Sequence, residues 1–407
     1  MMRIRWVWFS GMGSQVGLLL ALLWGCGRVD ERAGPDGAAA ASGSGGGGGS
    51  FSGSGPAAAG TFAVATGGMP PISTAAMTAG VGPGPGGAAG EAGAAGEAPV
   101  DEGVICQGDR LVHNDTGYQG LVAERCREIT GSLVIEAGML SQPPGLNTLT
   151  TVGGTLRIDT DLDVTSLATL SHLQSVGQEL LIRRNPKLVS LSGLDNLVHV
   201  GFDIRITENP MLHSPAGLGG LKQADLELNG PFTTLKGLHL QKATSFSLTG
   251  AEAESLEGLE ELVAVDRLLL TNTTKLKSLV GLGKVQHLQG LWLQYNQALT
   301  SLAGLDDLQD VLSPPTEPKA MGLLLQGNSK LTSLTGLGAL QHVARLEIND
   351  NQALASISAL GSLTQVDASL VIANNPALPP CQVEALDSSL DASCASCSGN
   401  LGPGGCP

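Results

Sequence analysis

From Gly131 to Pro376 the apolar and polar positions follow one recurring phrase of roughly 20 to 24 residues: apolar-x-apolar-x-x-Asn, then leucines at steps of three. "LLIRRNPKLVSLSGLDNLVHV", "LWLQYNQALTSLAGLDDLQDV", "LLLQGNSKLTSLTGLGALQHV" and "LEINDNQALASISALGSLTQV" return Leu, Asn and Gly in the same order. The alternating start predicts a short parallel strand with two inward side chains. The pairs align as Leu133/Ile135, Leu156/Ile158, Leu180/Ile182, Ile204/Ile206, Leu226/Leu228, Phe246/Leu248, Leu268/Leu270, Leu291/Leu293, Leu323/Leu325, Leu346/Ile348 and Leu370/Ile372, about eleven rungs. The leucine steps predict tight turns or short 3₁₀ segments that bring the chain back across the core. A repeat of this length is a solenoid, in which no unit buries a core alone.

Three residues past the second inward position stand Asn185, Asn209, Asn296, Asn328, Asn351 and Asn375. Short amides there can point inward and bond backbone groups freed at the turn, which predicts a structural asparagine ladder. The "LELNGPFTTLKGL" and "FSLTGAEAESL" units lack the asparagine and are shorter.

The outward positions fall into two columns. Leu269, Trp292 and Leu324 give three successive apolar rungs in the first; the second is uncharged and hydrogen-bonding from Thr207 to Asn349, passing through Thr271, Gln294 and Gln326. With strands about 4.8 Å apart, these positions make one apolar strip edged by amides and hydroxyls, with Tyr295 beside it. Rigid aromatics framed by polar groups suit a ligand-binding face. The same residues can equally form a self-bonded Thr/Gln ladder beneath a covering loop. An insertion of about nine residues, Val311 to Lys319, borders the strip and is expected to emerge as a loop.

Composition divides the chain into three segments. Residues 1–25 join Arg3 and Arg5 to an apolar run too short for a comfortable membrane span, which reads as a signal peptide. "Leu23-Trp24-Gly25-Cys26" resembles the bacterial lipobox, although Trp24 is bulkier than that pattern favours; the resemblance implies lipidation of Cys26. Gly27 follows, so the Asp that resembles an inner-membrane retention signal is missing, and an outer-membrane or surface address is implied. Residues 26–103 are almost wholly Gly, Ala, Ser, Pro and Thr and cannot bury enough surface to offset ordering entropy, which predicts a disordered tether. A coil of this length spans roughly 50 Å. Residues 104–407 make up the solenoid with cysteine-rich caps.

Six further cysteines lie only at the ends of the repeats: Cys106 and Cys126 before them, Cys381, Cys394, Cys397 and Cys406 after. In an exported chain this even number suggests disulfide-closed caps, with Cys106–Cys126 the natural first pair and three connectivities open for the other four. Cys394-Ala-Ser-Cys397 has the spacing of a redox or zinc motif but lacks a strand-helix context and a second ligand pair. Without Arg3 and Arg5 the chain carries 20 basic and 37 acidic residues, a net charge of 20 − 37 = −17. That balance argues against nucleic acid and anionic lipid headgroups as partners of the folded part.

The repeats resemble bacterial leucine-rich repeats and, more closely, the receptor L-domain. "Ile129-Thr130-Gly131-Ser132-Leu133-Val134-Ile135" after Cys126, and "Asn374-Asn375-Pro376-Ala377-Leu378-Pro379-Pro380-Cys381" with Gly399-Asn400 and Cys406, carry the resemblance over about residues 104–406. It implies a mainly β, right-handed parallel β-solenoid that binds a ligand or partner, and it brings no catalytic residues. The expected partner is a protein, with glycan binding the second reading. An enzyme by analogy with polysaccharide-degrading β-helices comes third, since the outward column offers only scattered Glu227 and Glu347 in place of a carboxylate cluster, and a purely structural spacer comes fourth. Neither cofactor nor metal is expected. "Asp159-Thr160-Asp161-Leu162-Asp163" starts like a calcium loop, but Val164 and Leu170 stand where Gly and Glu are needed. His199, His287 and His342 recur at one repeat position on rungs too far apart to share an ion, and no hydrolase motif appears.

Overall fold

The computed structural model describes residues 103–136, 145–159, 164–313, 322–390 and 393–403. Cys26, the tether up to residue 102, Cys406 and most of the 311–319 insertion lie outside them.

The chain winds into a mainly β, all-parallel solenoid of about twelve turns. Its long sheet contains 15 strands, and every inward pair named above is buried in one continuous core. The alternation sorts the side chains as expected, with Leu291–Leu293 and Leu323–Leu325 inward and Trp292 and Leu324 outward. The leucine steps are equally legible: Leu299, Leu302, Leu305 and Leu308 are all fully buried. Two of the returns are 3₁₀ segments, Ala168–Leu170 and Ser358–Ser362.

A rung precedes the first of the eleven expected. Arg110–Val112 pairs in parallel with Leu133–Ile135, and Val112 is buried. Its sequence lacks the asparagine and the leucine steps because this turn is closed differently, by the α-helix Asp115–Glu124. Asn114 caps that helix, its side chain accepting the Gly117 N–H at 2.8 Å, and Tyr118 and Leu121 face inward. A second helix, Pro380–Ser389, begins at a proline whose missing N–H costs nothing in a first turn, and buries Val383 and Leu386. The repeat phrase has no helical period, so neither helix was anticipated. Both cover core at the ends, where no neighbouring turn exists to do so. Beyond the second helix, Cys394–Ser396 adds a final strand beside Gln365–Ala373.

A second sheet of five short strands (Val104–Cys106, Cys126–Ile129, Thr151–Val152, Ser175–Val176 and His199–Val200) runs along the return side of the first turns. The short sheet ends at His199–Val200; further on, longer single strands such as Lys242–Thr249 and Ala264–Thr271 belong to the long sheet. The glycines Gly153, Gly177 and Gly201 follow these short strands on successive turns. A Cβ on Gly177 would run into the Gly153 carbonyl oxygen, and one on Gly201 into that of Gly177, so this corner admits only hydrogen.

All six predicted asparagines are buried, and Thr273 and Asn400 extend the series. From Thr273 each rung's backbone N–H donates to the side-chain oxygen of the next: Thr273 to Asn296 (3.1 Å), Asn296 to Asn328 (3.0 Å), Asn328 to Asn351 (3.0 Å), Asn351 to Asn375 (3.0 Å) and Asn375 to Asn400 (3.1 Å). The amide nitrogens reach back to carbonyls, as Asn328 Nδ2 does to Leu293 O at 2.9 Å. A separate step joins Asn185 to Asn209 at 3.1 Å. The ladder breaks where Pro231 and Ala251 hold the equivalent positions; the phenylalanines Phe232 and Phe246 are buried there.

The cap pairing expected first is present: Cys106 is bonded to Cys126, with Cα atoms 5.6 Å apart. At the other end Cys394 is bonded to Cys397, and Cys381 is disulfide-bonded as well. This narrows the three connectivities left open by the sequence. The Cys394-x-x-Cys397 pair is therefore a closed disulfide, not a set of free zinc ligands.

Candidate binding face

Strand register brings the predicted strip together. Leu269 lies opposite Trp292, Trp292 opposite Leu324, and Leu324 opposite Glu347; beside them Thr271, Gln294, Gln326 and Asn349 are aligned on the same four strands. Leu269, Thr271, Trp292, Gln294, Leu324, Gln326 and Asn349 are all half-buried, none enclosed. No described residue covers the strip fully. The 314–321 part of the neighbouring insertion is outside the described residues.

The self-bonding alternative holds for one step. Gln294 Nε2 donates to Gln326 Oε1 at 3.0 Å, locking these amides to each other. The chain of amides stops there: the Asn349 side-chain oxygen is covered yet has no hydrogen-bond partner. The strip is therefore a partly pre-ordered surface, with an apolar column and an amide column held by adjacent strands.

Tyr295 leaves the strand in a conformation the sequence did not announce. Its φ is +56°, in the left-handed region that costs a bulky residue, and its side chain is 46 % exposed. The cause lies in the ladder. To turn the next residue's amide inward, the chain passes through the left-handed region just before it, at Arg184, Glu208, Asn272, Tyr295, Gly327, Asp350 and Asn374. Four of these seven are Gly, Asn or Asp, the types that tolerate it, and that preference was a readable signal. A Cβ on Gly327 would stand 2.5 Å from Tyr295 Cδ1 and 2.7 Å from Cε1, so the ring lies against the Gly327 backbone in space only glycine leaves open.

The opposite end of the face is charged. Asp159, with its side chain fully covered, accepts from Arg183 Nε at 2.7 Å and from Arg184 Nε at 2.6 Å, and Arg157 completes the set. Burial alone would raise its pKa, but the hydrogen bonds from Arg184, Arg157 and Arg183 outweigh it and hold the carboxyl far below the usual range. Asp159 is thus committed to arginines. Asp159 and Arg183 hold the same repeat position on paired strands, a signal the sequence did carry, whereas the part played by Arg184 follows from the turn geometry.

On the return side, His287 Nδ1 lies 2.7 Å from Asp310 and His342 Nε2 lies 2.8 Å from Asp367, while His199 is exposed. His287 and His342 pair with acids and do not meet each other. Among the described residues the one cluster with metal-ligand spacing is Cys106, Glu124 and Cys126, whose thiols are consumed by their disulfide. No described helix is long and apolar enough to cross a membrane.

No family model and no curated protein matches this chain.

Proposed function

We propose that this chain is an exported, lipid-anchored binding protein without enzymatic activity, whose solenoid presents the Leu269–Trp292–Leu324 strip to a partner outside the cell. The observation that carries the reading is the register: three apolar side chains on adjacent strands, half-exposed, with an amide column fixed beside them. Trp292 is the one tryptophan beyond the signal segment, and it stands at the strip's centre. Large aromatics at the centre of a patch with polar edges contribute most where a partner excludes water. The Gly/Ala/Ser/Pro stretch and Cys26 support a tether and an acyl anchor, and the resemblance to receptor L-domains supports recognition in place of chemistry. A protein surface and a glycan both fit a strip of this composition.

The test is cross-linking from a photoreactive residue at position 292 in whole cells. A partner captured there, and lost when Leu269 and Leu324 are both changed to Asp, is the expected result. Capture that ignores those changes overturns the reading. Mass analysis of the mature N-terminus checks the anchor, which is refuted by an unmodified first residue other than Cys26.

A further inference from the structure

We infer that the rim of this face, centred on Tyr295 and Gly327, is a subsite for a neutral sugar ring, so that the partner is a neutral oligosaccharide or polysaccharide. The inference rests on the strand face being the binding surface and names its ligand class.

Three observations converge on the rim. First, Tyr295 is the single aromatic among the seven non-glycine residues of positive φ. A bulky side chain in that region costs on the order of 1 kcal/mol, and such outliers concentrate where the surrounding structure or a ligand uses them. Second, the adjacent turn supplies Gly327, and the ring occupies the space its Cβ would fill. The ring is therefore laid against backbone and held, yet it stays 46 % exposed, which leaves aromatic surface open to a ligand. Third, the same left-handed column places Asn272 one rung before Tyr295 and Asp350 one rung beyond Gly327, both exposed. None of the side chains of Asn272, Tyr295 and Asp350 has a hydrogen-bond or ion-pair partner within the described protein. On the strand itself, Gln294 Oε1 and Gln326 Nε2 are the amide atoms not used in the bond between those residues.

A pyranose fits this arrangement chemically. Its axial C–H groups form an apolar face that packs on an aromatic ring, while hydroxyls radiate from its edge. Here a phenol ring is flanked along one column by an amide and a carboxylate, at steps of about 4.8 Å per rung. Asp350 accepts hydroxyl protons, and Asn272 both donates and accepts. Trp292, three residues back along the strand at about 3.3 Å per residue, lies about one sugar unit or two away and offers a second apolar contact. The charge selects against acidic sugars: the chain has a formal net charge of −15, and Asp350 stands in the subsite.

The experiment uses the full chain on an array of neutral and acidic oligosaccharides, followed by titration calorimetry with the best neutral binder. Expected are neutral-glycan binding, a loss of tenfold or more in Tyr295→Ala, retention within about threefold in Tyr295→Phe, and a several-fold loss in Asp350→Ala. Circular dichroism and melting must show each variant folded. As Tyr295 is exposed and its replacement relieves backbone strain, Tyr295→Gly serves as a second variant that folds if Tyr295→Ala does not. Neutral-glycan binding that survives loss of the Tyr295 ring overturns the subsite, as does preferential binding of acidic glycans. A silent array together with a protein captured through position 292 overturns the glycan inference and leaves the binding face standing. Silence in both removes the two together.

Discussion

Replacing Asn328 by alanine strikes the middle of the asparagine ladder. Asn328 is fully buried; its side-chain oxygen accepts the Asn296 N–H at 3.0 Å and its amide donates to the Leu293 carbonyl at 2.9 Å. Alanine leaves both of these backbone groups without the partner they have in the ladder. Each buried, unpaired group costs about 1–3 kcal/mol, so the expected loss is about 4 kcal/mol, with a small cavity adding to it. Asn351 loses the 3.2 Å bond that Asn328 Nδ2 donates to its side-chain oxygen, but that oxygen still accepts the Asn328 backbone N–H at 3.0 Å. The damage therefore falls on the turn holding Leu291–Leu293. Trp292 sits on that turn, so its fluorescence during urea unfolding of the mature chain reports the affected region directly. Exchange of the Asn296 amide hydrogen should accelerate in parallel. Asn229→Ala is the control: Asn229 is exposed at its strand's end and outside the ladder, and its change should cost within about 0.5 kcal/mol. A loss below about 1 kcal/mol for Asn328→Ala, or one equal to the control, refutes the view that the amides hold the turns together.

The cap disulfides differ in the loops they close. Opening Cys106–Cys126, 20 residues apart, should cost about 3 kcal/mol by loop entropy, and Cys394–Cys397, 3 apart, about 2 kcal/mol; chemical unfolding of the Cys→Ser pairs ranks them, and the reverse order contradicts the reasoning. Asp159 has a folded-state pKa held below its unfolded value, so its contribution is fully present above the unfolded pKa near 4 and is lost as pH falls below it. Stability of the wild type should thus decline below about pH 4 more steeply than that of Asp159→Asn, and parallel curves would count against the arginine cluster. Gly177→Ala, where a methyl collides with the Gly153 carbonyl, should lower the melting temperature clearly, whereas Gly338→Ala, with open space around it, should leave it unchanged; equal effects would show that the corner is not tight.

Much of the fold was legible because a solenoid's contacts repeat at a fixed sequence distance. Once Leu291 is read as inward, Trp292 must be outward, and its neighbours one repeat away must be Leu269 and Leu324. The asparagines were legible for the same reason. The terminal helices were not, because each occurs once and closes an end where the periodic pattern stops. In the cluster around Asp159 the Arg183 pairing follows from a shared repeat position, but Arg157 and Arg184 hold different positions and join only after the turns stack.

The sequence by itself determined the parallel solenoid, the inward and outward side of the eleven aligned strands, the asparagine ladder and the pairing of Cys106 with Cys126. Period and alternation suffice for these, since they are properties of one repeat and its copy. Only the tertiary structure decided that Tyr295 turns out of its strand at positive φ, that its ring fills the space above Gly327, and that the side chains of Asn272 and Asp350 have no partner among the described residues. Those facts depend on how closely one turn's backbone approaches the next, and that distance is set by packing, not by periodicity.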